Sequence, residues 1–186
     1  LIVKLAFSQQ AGCKIITSWR NKSFNFTNWK VLQEKRQSVL LNSSAFDHNF
    51  LLSYDLFPKG IIRSTKEWEQ QKRNMQEGDI IVQWVRVPPF SHLAVYFLFG
   101  VQIVEVINTS QIRSFTYHTL SGHPEKGRAS FILEKMPFAC RFTIHSYSSP
   151  AGILNTVPIA HLVHAYQDFS VEKILAGLKN RFPVPT

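Results

Sequence analysis

The sequence predicts an α+β domain: a curved antiparallel sheet packed on a long carboxy-terminal helix. Three observations carry that expectation. Period-2 alternation recurs in successive segments between Ile112 and Tyr147. Apolar residues at roughly helical spacing run through the last segment, Ile159 to Phe182, and Pro183 ends it. Runs of strands bracketed by helices indicate α+β rather than a parallel sheet.

Taken in order, residues 1–27 read as irregular or short extended pieces. Residues 28–42 admit two readings, a partial helical stripe through Trp29, Leu32, Arg36 and Val39, or a strand over Ser38 to Leu41. Asp47 to Leu56 and Ser64 to Met75 read as short helices separated by Pro58 and Gly60, with Ser64 and Glu67 spaced as a capping box. From Gly78 the pattern becomes extended, with about five strands expected. Ile80 to Val87 is rich in β-branched residues and stops at Pro88-Pro89. Leu93 to Ile107 is apolar, interrupted by Gly100 and strand-like from Val101. In Ile112 to Thr119, Phe115 and Tyr117 share one face, while Ser114, Thr116 and His118 share the other. Arg128 to Glu134 alternates through Ala129, Phe131 and Leu133, and the last strand alternates through Phe138, Cys140, Phe142 and Ile144. A sheet that grips a helix leaves an apolar space between them, either filled by aromatic side chains or open to a ligand. The expected lining is Phe115, Tyr117, Phe131, Phe142, Tyr166 and Phe169.

Composition limits the function classes. In 186 residues, 45% are apolar and 15 are Phe, which excludes a disordered chain, and no apolar run is long enough for an ordinary membrane span. Lys and Arg number 21 against 12 Asp and Glu, a formal net charge of +9. Seven of those cations precede residue 47, against the single acid Glu34. The organisation expected is therefore a basic extension over 1–46 and a domain over 47–186. No basic-region helix, metal-finger spacing or RNA-binding signature is present, so no specific nucleic acid is expected. A membrane-peripheral or protein-interaction role through the basic amino-terminal third, with weak contact to an anionic membrane, is a further expectation. Cys13 and Cys140 form neither a disulfide framework nor a metal knuckle, and a reduced cytoplasmic setting is the default. Gln10-Ala11-Gly12-Cys13 has the look of a lipoprotein cleavage box, but the preceding segment is too short for a signal, so Cys13 is expected to be a small packed thiol.

No phosphate loop, dinucleotide fingerprint or Gly-x-Ser-x-Gly elbow occurs, and no cofactor is expected. His161 and His164 stand at i, i+3, but no third metal ligand is identifiable, so packed or surface imidazoles are the expectation. The most distinctive stretch is Phe115 to Gly127, a strand leading into a turn that presents His123 and Glu125. The plainer reading is a hairpin connection with both groups solvated. The other is an acid–base cluster of His118, His123 and Glu125 acting on a cavity ligand.

Tyr117-His118-Thr119-Leu120-Ser121-Gly122-His123-Pro124-Glu125-Lys126-Gly127, followed by Phe131, Glu134 and Ser146-Tyr147-Ser148-Ser149-Pro150, resembles uncharacterised protein family 0548, a domain-of-unknown-function family. Tyr54-Asp55-Leu56-Phe57-Pro58, Trp68 and Met75-Gln76-Glu77-Gly78-Asp79 extend the resemblance over roughly residues 45–182. The resemblance implies the helix-grip fold of START domains, Bet v 1-like proteins and polyketide cyclases. It therefore implies a cavity for a small hydrophobic or amphipathic ligand. Ala160 to Tyr166 departs from many relatives in lacking arginines. Binding without transformation is the leading expectation; hydratase- or cyclase-type chemistry by His118, His123 and Glu125 is the alternative.

Overall fold

The computed structural model describes residues 9–58, 60–87, 95–151 and 157–184, with the side chains of 9–13, 95, 150 and 157–163 left aside. Helix α1 (Gln9–Trp19) precedes β1 (Gln33–Asn42), a 3-10 turn over Ser43–Asp47 and β2 (Ile62–Lys66). The one-turn helix α2 (Glu67–Gln70) follows. Then come β3 (Ile80–Val87), β4 (Val95–Asn108), β5 (Ile112–Thr119), β6 (Glu125–Lys135), β7 (Ala139–Pro150) and α3 (Val157–Arg181). All seven strands form one antiparallel sheet in the order β1-β7-β6-β5-β4-β3-β2. Consecutive strands from β2 to β7 are neighbours, and β1 closes the far edge on β7. A register shift in β4 between Ile103 and Glu105 bends the sheet.

The alternation dictates two faces. On the concave face, Val101, Ile103, Phe115, Phe131, Leu133 and Phe142 are buried against Ile174, Leu178 and Phe182 of α3 and against residues 45–56. On the convex face, a smaller cluster joins Ile16 and Trp19 of α1 to Ile80, Val82, Trp84 and Leu120. Gly100 lies under the Trp19 indole, and its hydrogen is what admits the ring.

Several expectations are corrected here. Among the described residues the sheet has seven strands rather than about five, because β1 and β2 are edge strands whose half-exposed pattern is weaker than that of the central strands. The ambiguous segment resolves as strand over 33–42, within the stretch read as a basic extension. Residues 9–19 are helical rather than irregular, since Ile16 and Trp19 find a partner only on the folded sheet. Ser64 to Met75 is not one helix. Ser64 belongs to β2, Lys66 takes the N-cap position with no side-chain hydrogen bond, and the helix ends after one turn, so the capping box does not form. Asp47 to Leu56 is likewise turns rather than a helix. Phe138 does not share the face of Cys140 and Phe142. It precedes β7 and is 91% exposed.

Candidate functional site

A cavity of about 490 Å³ lies between the concave face and α3. Ile62, Val85, Phe97, Phe131 and Ile144 supply apolar walls from the sheet, and Val171 and Ile174 close it from the helix. One end is polar. The turn after β5 carries Gly122 in the left-handed region (φ 96°), which reverses the chain and delivers His123 and Glu125 to the start of β6. From α3, His164, Gln167 and Asp168 come down on that end, their i, i+3, i+4 spacing placing them on one helix face. Lys35 of β1 pairs with Asp168 at the rim, and both line the cavity. Tyr166 donates its hydroxyl to the Arg86 carbonyl (2.8 Å), tying α3 to the end of β3.

The Glu125 side chain is 4% exposed. Gln167 Nε2 donates to its Oε2, while its Oε1 lies 3.1 Å from His164 Nδ1 without alignment for a hydrogen bond. Burial pushes the Glu125 carboxyl up to about 7, against the Gln167 hydrogen bond and the Lys35 charge. Burial pulls His123 down to about 4, so its imidazole is neutral at pH 7. His123 Nδ1 faces the backbone of Glu125, 3.1 Å from its N–H and 2.9 Å from its carbonyl, and the tautomer decides which bond forms. A carboxyl poised near neutrality beside a neutral imidazole can accept or hold a proton at a cavity wall.

These two shifts give opposite slopes of stability with pH. Between 4.5 and about 7 the folded chain keeps a proton on Glu125 that the unfolded chain has shed, so this contribution falls as pH rises. Between about 4 and 6.5 the unfolded chain keeps a proton on His123 that the folded chain has shed, so this contribution grows as pH rises. Each amounts to something on the order of 3 kcal/mol across its window. Urea unfolding of Glu125→Gln is expected to show stability climbing from pH 4 to 6.5, and His123→Gln to show it falling from pH 4.5 to 7. If both variants keep the pH profile of the unsubstituted chain, the burial of these groups is wrong.

The structure divides the residues expected at the site. Tyr117, Phe131, Tyr166, His123 and Glu125 line the cavity. Phe115 and Phe142 are fully buried in the core beside it rather than on its wall. Phe169 is not on the wall either; its ring is beside Tyr166, with Lys173 Nζ 5.4 Å from its centre. His118 projects from the convex face, where its Nε2 is 3.1 Å from Gln102 Oε1 and Phe26 stacks on its ring. It cannot act with His123 and Glu125, and the cause is strand parity, since Tyr117 takes the concave side. His164 is an arm of the cavity's polar end, and the side chain of His161 lies outside the described residues, as does that of Cys13. Among the described residues no group of three His, Cys, Asp or Glu side chains is placed to hold a metal. Lys35, Gln83, Gln167 and Asp168 also line the cavity and were not anticipated. The helical spacing from His164 to Gln167 and Asp168 was the available signal.

An open seven-stranded antiparallel sheet with its first strand at one edge, packed on a long carboxy-terminal helix, defines an α+β domain of helix-grip architecture. The chain belongs to the family described as Domain of unknown function (DUF1990), whose pattern matches residues 43–176. Among solved structures it is similar to a hypothetical protein, jhp0584, from Helicobacter pylori. There the TM-score is 0.53 and the identity 11%, over 82% of this chain and 92% of that one. An uncharacterised protein from Bacillus thuringiensis gives a TM-score of 0.48 at 10% identity, over 78% of this chain and 98% of that one. Norcoclaurine synthase from Thalictrum flavum gives 0.45 at 11%, over 78% and 98%. At 11% identity the likeness to the Helicobacter pylori protein is one of fold alone. No curated protein matches the sequence. Among the described residues no helix is long and apolar enough to cross a membrane.

Proposed function

We propose that this protein binds a small hydrophobic or amphipathic molecule in the cavity between sheet and α3. The observation that carries the reading is the cavity itself, about 490 Å³ with mainly apolar walls and one polar end. Its size falls in the range of small-molecule sites, roughly 300–1,000 Å³. Burying an apolar ligand there releases about 25 cal/mol per Å² of surface removed from water, and the Glu125 end orients its polar group.

Ala129 supports a direct test. It faces the cavity from β6, paired across the sheet with Tyr117 and Ser146. An Ala129→Phe ring would occupy ligand space without breaking any hydrogen bond. Titration with the fluorescent probe anilinonaphthalene sulfonate is expected to show saturable one-to-one binding, weakened at least about tenfold by Ala129→Phe. Equal binding by both chains would count against the cavity as the site.

A second reading, proton transfer on the bound molecule, is favoured by the Glu125 carboxyl lying near neutrality at that wall. It requires Glu125→Gln to abolish conversion of a bound molecule while leaving its binding intact.

A further inference from the structure

Near the start of β4, three consecutive apolar residues stand in solvent: Tyr96 and Phe97 are each 46% exposed and Leu98 is 37% exposed. Alternation puts neighbouring side chains on opposite faces, so such a run means that neither face is covered there. Three adjacent exposed apolar residues are a liability in water unless something uses them. The strand register says what surrounds them. On the convex face Tyr96 is opposite Arg86, and Leu98 is opposite Trp84, which is opposite Arg63. On the concave face Phe97 is opposite Val85, stacks on Phe99 and belongs to the cavity wall. β2, β3 and residues 95–104 contain Arg63, Lys66 and Arg86 but no Asp or Glu; Lys66 is paired with Glu69 at 3.1 Å and Arg86 is half-buried, so Arg63 is the exposed cation beside the patch. The patch is therefore apolar and aromatic at its centre, cationic at its flank and continuous with the cavity.

We propose that this end of the β3–β4 ladder docks on the surface of an anionic phospholipid bilayer. Tyr96, Phe97 and Leu98 enter the headgroup layer while Arg63, exposed on the edge strand, meets lipid phosphate. Aromatic rings and Leu favour the boundary between headgroups and acyl chains, and basic residues beside them add electrostatic attraction. The absence of carboxylates from these strand segments matches an anionic surface. The net charge of +9 acts in the same direction at longer range. Docking here differs from contact through the amino-terminal lysines, and it does not depend on the cavity being filled.

The test is co-sedimentation of the full chain with vesicles of pure phosphatidylcholine and of equimolar phosphatidylcholine and phosphatidylserine. The expected result is binding to the mixed vesicles that weakens as salt rises. The double variant Tyr96→Ser/Leu98→Ser should lower partitioning by about tenfold or more. Arg63→Glu should lower it at least about fivefold. The triple variant Lys4→Gln/Lys14→Gln/Lys30→Gln should keep most of it. Arg63 is exposed on an edge strand, so its variant answers the question even if the double variant fails to fold. Three results would overturn the proposal. One is no binding to either vesicle. Another is loss of binding in the lysine variant alone, which moves the contact to the amino terminus. The third is a patch variant that changes the oligomeric mass in solution and leaves lipid binding intact, which makes the patch a protein interface. Probe binding in the cavity, measured in parallel, separates failure of docking from failure of ligand binding.

Discussion

Phe115→Ala is expected to cost about 3–5 kcal/mol of stability, read as a lower midpoint in urea with an unchanged slope. Phe115 is fully buried at the middle of the sheet. Its ring stacks on Phe131 at 4.8 Å and 13°, meets Tyr54 edge-on at 5.7 Å, and lies 6.4 Å from Tyr117. Each of those neighbours is itself fixed: Tyr54 by Gln83, whose amide donates to its hydroxyl at 2.5 Å, and Phe131 and Tyr117 by the β5–β6 ladder. A void left among anchored groups collapses poorly, which places the substitution at the costly end of the range. Because Phe131 and Tyr117 line the cavity, the same change loosens the wall from behind. A loss below about 1 kcal/mol would show that the ring is replaceable and the core less closely packed than described.

Gly100 and Trp19 form a second sensitive pair. A methyl group on Gly100 would come within 2.3, 2.7 and 2.9 Å of three Trp19 ring carbons, closer than carbon atoms approach without displacement. Trp19 is buried, and its six-atom and five-atom rings move as one rigid body, so relief requires α1 to lift. Gly100→Ala is expected to cost about 1–3 kcal/mol by overpacking. Trp19→Ala is expected to cost about 3–5 kcal/mol by emptying the convex cluster. In the double variant the clash has no partner, so the two losses fall short of their sum by about 1–2 kcal/mol. Strict additivity in thermal or urea unfolding would mean that α1 does not sit on β4. The pair also reaches beyond the family match, which starts at residue 43, so α1 is part of this chain's fold rather than of the shared pattern.

Which parts were legible in the sequence follows from how each element is stabilised. Strands β5, β6 and β7 announce themselves because apolar residues take one face and polar residues the other, which writes period 2 into the sequence even where Ser114, Thr116 and Thr143 are themselves buried. Helix α3 is legible from the spacing of Tyr166, Ile174 and Leu178. β2 was hidden because its five residues, Ile62 to Lys66, run straight into the charged turn that looks helical. α1 was hidden because its apolar stripe is short and its partner, the convex face of β3 and β4, is remote in sequence. At the site, the turn motif located His123 and Glu125, but not the burial of the Glu125 carboxyl, which depends on α3 descending over it. Alternation could say that Phe115 and Phe142 point inward. Whether an inward ring meets a cavity or another ring depends on where α3 diverges from the sheet, and no local pattern encodes that. His118 is the instructive case: its parity with Ser114 and Thr116 already placed it on the face opposite Tyr117.

The most direct measurement of the central claim is native mass spectrometry of the full chain purified from cells that produce it, beside Ala129→Phe. The account predicts a discrete small-molecule adduct on the unsubstituted chain, extractable into organic solvent and lost in Ala129→Phe. An adduct carried equally by both chains, or by neither, would contradict a ligand held in the cavity under α3.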